Sequence, residues 1–223
     1  MIRRKPISFL SAALAAVMLL SLAACGAGTP ASAPAEEAAP APSAEPVITP
    51  EPVTRPERQP GERFEMRIVI EGMDETVRYE HIRNDALGFE MDYDYERFER
   101  HGGADSERFI SVWDDPEDPV NFLEVTRFAE DAEPVAAAVK EELSGTYELT
   151  ESTRELEGAG ECLYIEASVL KGTNSMADEL QAVYIIPASE GCFVASAHCA
   201  VEAAEGILRR FQYMLNTFSA IQG

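Results

Sequence analysis

Hydrophobic positions along the chain fall into three regimes. Ile7 to Leu22 is almost wholly apolar, interrupted only by Ser8, Ser11 and Ser21. Gly26 to Pro60 has no periodic apolar face at all. From residue 61 onward, alternation with a period of two dominates, with two stretches of helical period. Phe64–Glu71 and Thr76–Arg83 alternate and are rich in Val, Ile and Tyr, which predicts two strands joined at Gly72-Met73-Asp74-Glu75. Leu87–Tyr93 predicts a third strand. Tyr95–Arg100 reads as a helical turn before Gly102-Gly103. Arg108–Trp113 and Asn121–Phe128 read as strands on either side of the loop Asp114-Asp115-Pro116-Glu117-Asp118-Pro119.

Pro134 suits the first turn of a helix, where its missing N–H costs nothing. That helix would run along Val135, Ala138, Val139 and Leu143 to a stop near Gly145. Tyr147–Leu156 reads as a strand. A β-meander follows in Cys162–Leu170, Leu180–Ile186 and Cys192–Cys199, with turns at Gly172–Ser175 and Pro187–Gly191. The last element has the strongest helical stripe: Ile207, Phe211, Met214, Leu215, Phe218 and Ile221 on one side, with Arg209, Arg210, Gln212 and Asn216 on the other. The sum is α+β: helices packed on an antiparallel sheet.

The first two regimes give an address. Arg3, Arg4 and Lys5 precede the apolar run, and Leu22-Ala23-Ala24-Cys25 closes it. This is the charged, apolar and small-residue order of an export signal. It resembles a bacterial lipoprotein signal with its lipobox, in which Cys25 takes the lipid and residues 1–24 are removed. The apolar run is marginal for a spanning helix, which needs ~20 residues. Cleavage nearby by ordinary signal peptidase, or retention as an uncleaved anchor, are the alternatives. Residues 25–61 would form the tether. Nine of the fourteen prolines lie between Gly26 and Pro60, without an aromatic residue, so the segment cannot bury enough surface to offset its ordering entropy. Stretched as polyproline II it would reach on the order of 100 Å. The expected location is the extracytoplasmic face of a bacterial membrane, held there by lipid.

Residues 62–223 are long enough for one domain with a real core. The chain holds 18 Lys and Arg against 40 Asp and Glu, a net charge of −22. Five of each sign lie in the first 60 residues, so the whole imbalance belongs to the domain. Such a field opposes nucleic acid and anionic lipid, favours solubility as a solvated surface, and would suit cationic or metal partners.

The order of elements is similar to that of PsbP-like domains. Leu87-Gly88-Phe89-Glu90-Met91-Asp92-Tyr93 resembles their opening "GF-x-hydrophobic-x-Tyr" strand. The mid-chain helix, the meander and the final helix ending Met214-Leu215-Asn216-Thr217-Phe218 match in order over roughly Val77 to Ala220. Asp94–Phe98 departs from the Pro-x-x-Trp that often follows that strand. The resemblance implies an α/β/α sandwich around a central antiparallel sheet, and a non-catalytic binding or assembly module. The photosystem II extrinsic subunit and a Ran-binding protein are its best-known members, and no photosynthetic or Ran-binding residue carries over.

Several residue patterns resemble chemical motifs in part. Ser168-Val169-Leu170-Lys171 has the Ser-x-x-Lys spacing of penicillin-recognising enzymes, but on a strand its ends face opposite ways. His101-Gly102-Gly103 lacks a Gly-x-Ser-x-Gly partner and reads as a turn. Asp92-x-Asp94-x-Glu96 opens like a calcium loop but lacks the sixth-position Gly and twelfth-position Glu. Asp114, Asp115, Glu117 and Asp118 form an acidic loop that could hold calcium loosely; otherwise no cofactor is expected. Cys192 and His198 share a strand face, too few ligands for a zinc site. Cys192 and Cys199 lie roughly 23 Å apart on one strand, and Cys162 is two strands away. Disulfides need Cα atoms within ~7 Å, so three free thiols are expected. The expectation is a non-enzymatic module with an unknown protein or small-molecule partner. A calcium-binding envelope module and an envelope hydrolase with an unfamiliar site are the alternatives.

Overall fold

A computed structural model describes residues 56–173 and 175–221. The signal, the lipobox with Cys25 and most of the proline-rich segment lie outside the described residues. Among the described residues, eleven strands form two antiparallel sheets, with two α-helices packed on them.

The smaller sheet has the order β1-β2-β3-β11, from Arg63–Ile70, Met73–Asn84, Phe89–Asp94 and Ser219–Ala220. The β1–β2 hairpin is tighter than the sequence suggested. Glu71 and Gly72 both have positive φ, 51° and 78°, making a two-residue turn that pairs Ile70 with Met73. A turn with positive φ at both central residues matches the twist of the flanking strands, so β2 begins three residues earlier than the alternation indicated.

The larger sheet has the order β4-β5-β6-β10-β9-β8-β7. Its strands are β4 Phe98–Gly102, β5 Ser106–Ser111, β6 Phe122–Phe128, β7 Tyr147–Leu156, β8 Gly160–Leu170, β9 Met176–Pro187 and β10 Cys192–Ala200. The meander β8-β9-β10 and the strand before it follow the order the alternation placed them in, but β9 begins at Met176, four residues earlier than expected. The expected helical turn at Tyr95–Arg100 is instead a turn leading into β4. Phe98 is buried there and pairs with Ser111, and a long-range ladder outweighs local propensity.

Helix α1, Ala132–Leu143, lies across β7, β8 and β9 on one face of the larger sheet. It buries Val135, Ala136, Val139 and Leu143 against Ile165, Ala167, Val183, Ile185, Cys192 and Val194. The other face shares a larger core with the small sheet and helix α2, Ala204–Leu215. Phe89, Phe193 and Phe218 form its aromatic centre, with ring centroids 5.0 to 6.1 Å apart. The single central sheet of the expected sandwich is thus divided in two, with α2 packed against β1, β3 and β10.

Helix α2 stops at Leu215, short of the stripe that ran to Ile221. Thr217 ends it: its hydroxyl accepts from the Asp92 N–H at 2.7 Å and donates to the Met214 carbonyl at 2.6 Å. Phe218 then enters the core, and Ser219–Ala220 pairs with β3. Arg210, placed by the stripe on the solvent side, is buried.

Cys162, Cys192 and Cys199 are unpaired and buried, as the strand spacing required. Burial pushes their thiols up to about 11, about 11 and about 12 respectively. Cys192 faces α1, whereas Cys162 and Cys199 belong to the other core.

Candidate functional site

Two histidines make side-chain contacts with a hydroxyl or a carboxylate, on different sheets. On the larger sheet, Ser196 and His198 follow one another along the same face of β10, with Ser196 Oγ 3.4 Å from His198 Nε2. His198 stacks on Phe122 at 4.3 Å, and the Arg108 guanidinium caps that ring at 5.1 Å. Burial and the positive charge of Arg108 lower His198 to about 4. On the smaller sheet, His81 and Asp92 are register partners, with Nδ1 2.7 Å from the carboxylate. This contact, made here by His81, has the form by which a carboxylate orients a histidine in acyl-transfer triads. The His81 Nε2 faces Glu90 at 4.0 Å rather than a hydroxyl. The serine's histidine is therefore not the carboxylate's histidine. A base works best with its pKa near the operating pH, so an imidazole at about 4 is a weak base at neutral pH.

The His198 environment makes stability pH-dependent. An unfolded chain binds a proton on this imidazole below about 6.5, and the folded chain does not until about 4. The unfolded state then holds more protons, so stability should fall as pH drops through that window, by at most about 3 kcal/mol. Urea unfolding between neutral pH and about 4, compared between the native chain and His198→Gln, should show the shallower slope in the variant.

Buried carboxylates are the second concentration of polar groups. Asp94, at the end of β3, is 1% exposed at its side chain. It accepts from Arg210 of α2 at 3.2 Å, and Arg210 also pairs with Glu75 of β2. Arg97 approaches the same pair, 3.2 Å from Glu75 and 3.9 Å from Asp94. Burial nonetheless holds the Asp94 carboxyl above its ordinary range, because desolvation outweighs the two guanidiniums. Glu107 on β5 is fully buried and takes a two-pronged contact from Arg100 and a bond from Asn84 Nδ2 at 2.6 Å. Asp92 is shared between His81 and Arg58, and the Arg58 guanidinium lies 3.7 Å over Phe64. Each of these carboxylates ties separate elements together.

The residue patterns singled out by sequence do not converge. Ser168 donates to Glu166 at 3.2 Å while Lys171 reaches the Ser144 carbonyl at 2.7 Å, so Ser-x-x-Lys is not a pair. Asp92, Asp94 and Glu96 bind His81, Arg210 and Arg78 in turn. Gly103 closes the β4–β5 hairpin by donating to the Ser106 carbonyl. Cys192 and His198 lie toward opposite ends of β10. Among the described residues, no three His, Cys, Asp or Glu side chains group as metal ligands.

The acidic loop is internally braced. Asp114 accepts from the Val120 and Asn121 N–H groups and from Asn121 Nδ2, and Asp115 accepts from the Glu117 N–H at 3.0 Å. Asn121 Oδ1 in turn accepts from the Ala200 N–H at 3.1 Å. Asp115, Glu117 and Asp118 remain exposed. The brace holds up Trp113, which is 67% exposed. Sequence reading ended a strand at Trp113 and missed it as a surface feature. An aromatic closing an alternating run looks the same whether it points inward or outward.

No family model matches the chain, and no curated protein matches it. Among solved structures, it is similar to a protein from Bacteroides thetaiotaomicron: 14% identity, 61% of this chain and 46% of that one covered, TM-score 0.41. This chain thus spans less than half of the Bacteroides protein. It is also similar to cyanobacterial PsbP from Synechocystis: 11% identity, 64% of this chain and 92% of that one covered, TM-score 0.43. The class the structure defines is an α+β domain of mostly antiparallel strands with two helices.

Proposed function

We propose that the chain is a bacterial lipoprotein: Cys25 carries the lipid, the proline-rich segment is a spacer, and a PsbP-like domain is displayed from the extracytoplasmic face of the membrane. The domain acts as a binding or assembly module rather than as an enzyme. The observation that carries the reading is the adjacency of the Leu22–Cys25 lipobox and the proline-rich run, both ahead of one acidic domain. The division of histidine, serine and carboxylate between two sheets supports the non-enzymatic part. So does the use of the buried carboxylates as ties between elements. A rigid loop presenting an aromatic suits recognition better than turnover.

Replacing Cys25 with Ser in a bacterial host tests the anchor. The native chain should pellet with membranes and enter the detergent phase, and the variant should be released. Two or three acyl chains hold a protein firmly, at ~0.8 kcal/mol per buried CH₂, and loss of the thiol removes them all. Unchanged partition of the variant would overturn the lipid-anchor reading.

A further inference from the structure

The β5–β6 loop presents a built surface. Trp113 is the only tryptophan in the chain. The Arg97 guanidinium lies 5.5 Å from its ring centre, and the Arg97 carbonyl accepts from the Val112 N–H at 3.0 Å. Arg97 is itself neutralised by Glu75. Met73 stands two residues before Glu75, on the same face of β2, and is 66% exposed. Val112 is exposed as well. Val112 and Trp113 thus adjoin Arg97, and exposed Met73 lies on the strand that carries Glu75, the partner of Arg97. Tryptophan and arginine are the residues most enriched where binding energy concentrates. The Asp114 and Asn121 bonds fix the loop in advance, so little ordering cost remains for a partner to meet.

The rim decides which partner fits. Asp115, Glu117 and Asp118 follow Trp113 within five residues, and all three are exposed. An anionic bilayer would be repelled by this rim. A second copy of a chain with net charge −22 would be repelled too. We propose that this surface docks a basic polypeptide segment. An apolar side chain of that segment seats against Trp113, and its lysines or arginines meet Asp115, Glu117 and Asp118. The assignment rests on the domain being a binding module and is independent of the lipid anchor.

Trp113 supplies the assay, since all tryptophan emission comes from it. The full chain is titrated with three synthetic peptides of about ten residues: one of alternating Lys and Phe, one with Gly in place of Phe, and one with Glu in place of Lys. The Lys–Phe peptide should produce a saturable blue shift, and the other two should not. By calorimetry, Trp113→Ala should weaken its binding at least ~10-fold, the loss expected of a central anchor. Neutralising the rim with Asp115→Asn, Glu117→Gln and Asp118→Asn should remove most of the salt dependence. Neutralising Glu148, Glu151 and Glu155 on the distant edge strand β7 should leave binding unchanged. Equal affinity in Trp113→Ala would mean nonspecific polycation binding and would overturn the proposal. So would an equal response to the Glu–Phe peptide, or a blue shift with phosphatidylglycerol vesicles and not with the Lys–Phe peptide. These failures would leave the Cys25 partition result untouched, so the two readings fail separately.

Discussion

Arg210→Met should destabilise the domain by about 3–5 kcal/mol, the loss found when one partner of a buried ion pair is removed. Arg210 is the cation that α2 brings to both Asp94 and Glu75. Methionine keeps the volume and the helix propensity of the site, so the loss isolates the charge. Asp94 would remain almost wholly buried, with Arg97 at 3.9 Å as its nearest cation. The deficit should depend on pH in a defined direction. The folded Asp94 carboxyl already stands above its ordinary value, and without Arg210 it would rise further. The folded state then holds a proton that the unfolded state releases. Stability is thus greatest below the unfolded pKa of about 4 and is lost as pH rises through the folded one. Denaturant unfolding at about pH 4 and at neutrality should show the variant's deficit growing with pH. Asp94→Asn in the Arg210→Met background should recover much of it, because no charge is then left buried. A deficit of under about 1 kcal/mol at neutrality would mean that water reaches Asp94 and that the pair behaves as a surface one.

Arg210 also marks the boundary of what the sequence made legible. The apolar stripe of α2 was plain, and Phe211, Met214 and Leu215 are buried as it required. A stripe assigns arginine to solvent by default, because a lone charge is expensive to bury. What reverses the default is a pair of carboxylates more than a hundred positions away, and no local pattern carries that information. The meander was legible for the opposite reason: its turns are short, its alternation is clean and its partners are consecutive. The division into two sheets was not, because it follows from which strands β3 and β4 pair with, β2 and β5, across a turn of only three residues. The candidate surface was half legible. Acidic residues and prolines announced a loop after Trp113, but the role of Asp114 as its brace depends on Asn121, and that of Arg97 on another hairpin.

The turn before β10 gives the other large expected effect, and it separates a glycine needed for its backbone from one needed for its missing side chain. Gly191 has φ +71°, and a Cβ there would overlap the carbonyl oxygen of Phe128 and crowd the backbone of Ala129. Gly72 has a similar φ, +78°, with nothing within 4 Å of where a Cβ would stand. Gly72→Ala should therefore cost about 1–2 kcal/mol, the penalty of a left-handed conformation alone. Gly191→Ala carries that penalty and an overpacking term of about 1–3 kcal/mol more. Neither term has an easy escape. The obstructing atoms are backbone, and they lie beside Cys192, which is paired with Phe128 at the start of the β10–β6 ladder. Shifting that end would move the strand that carries Ser196, His198 and the buried Phe193. Paired urea melts should thus place Gly191→Ala well below Gly72→Ala, with amide exchange accelerated along β6 and β10 in the former only. If the two variants lost the same stability, the close approach of Gly191 to Phe128 and Ala129 would not be a feature of the folded chain, and the ladder between β6 and β10 would begin elsewhere.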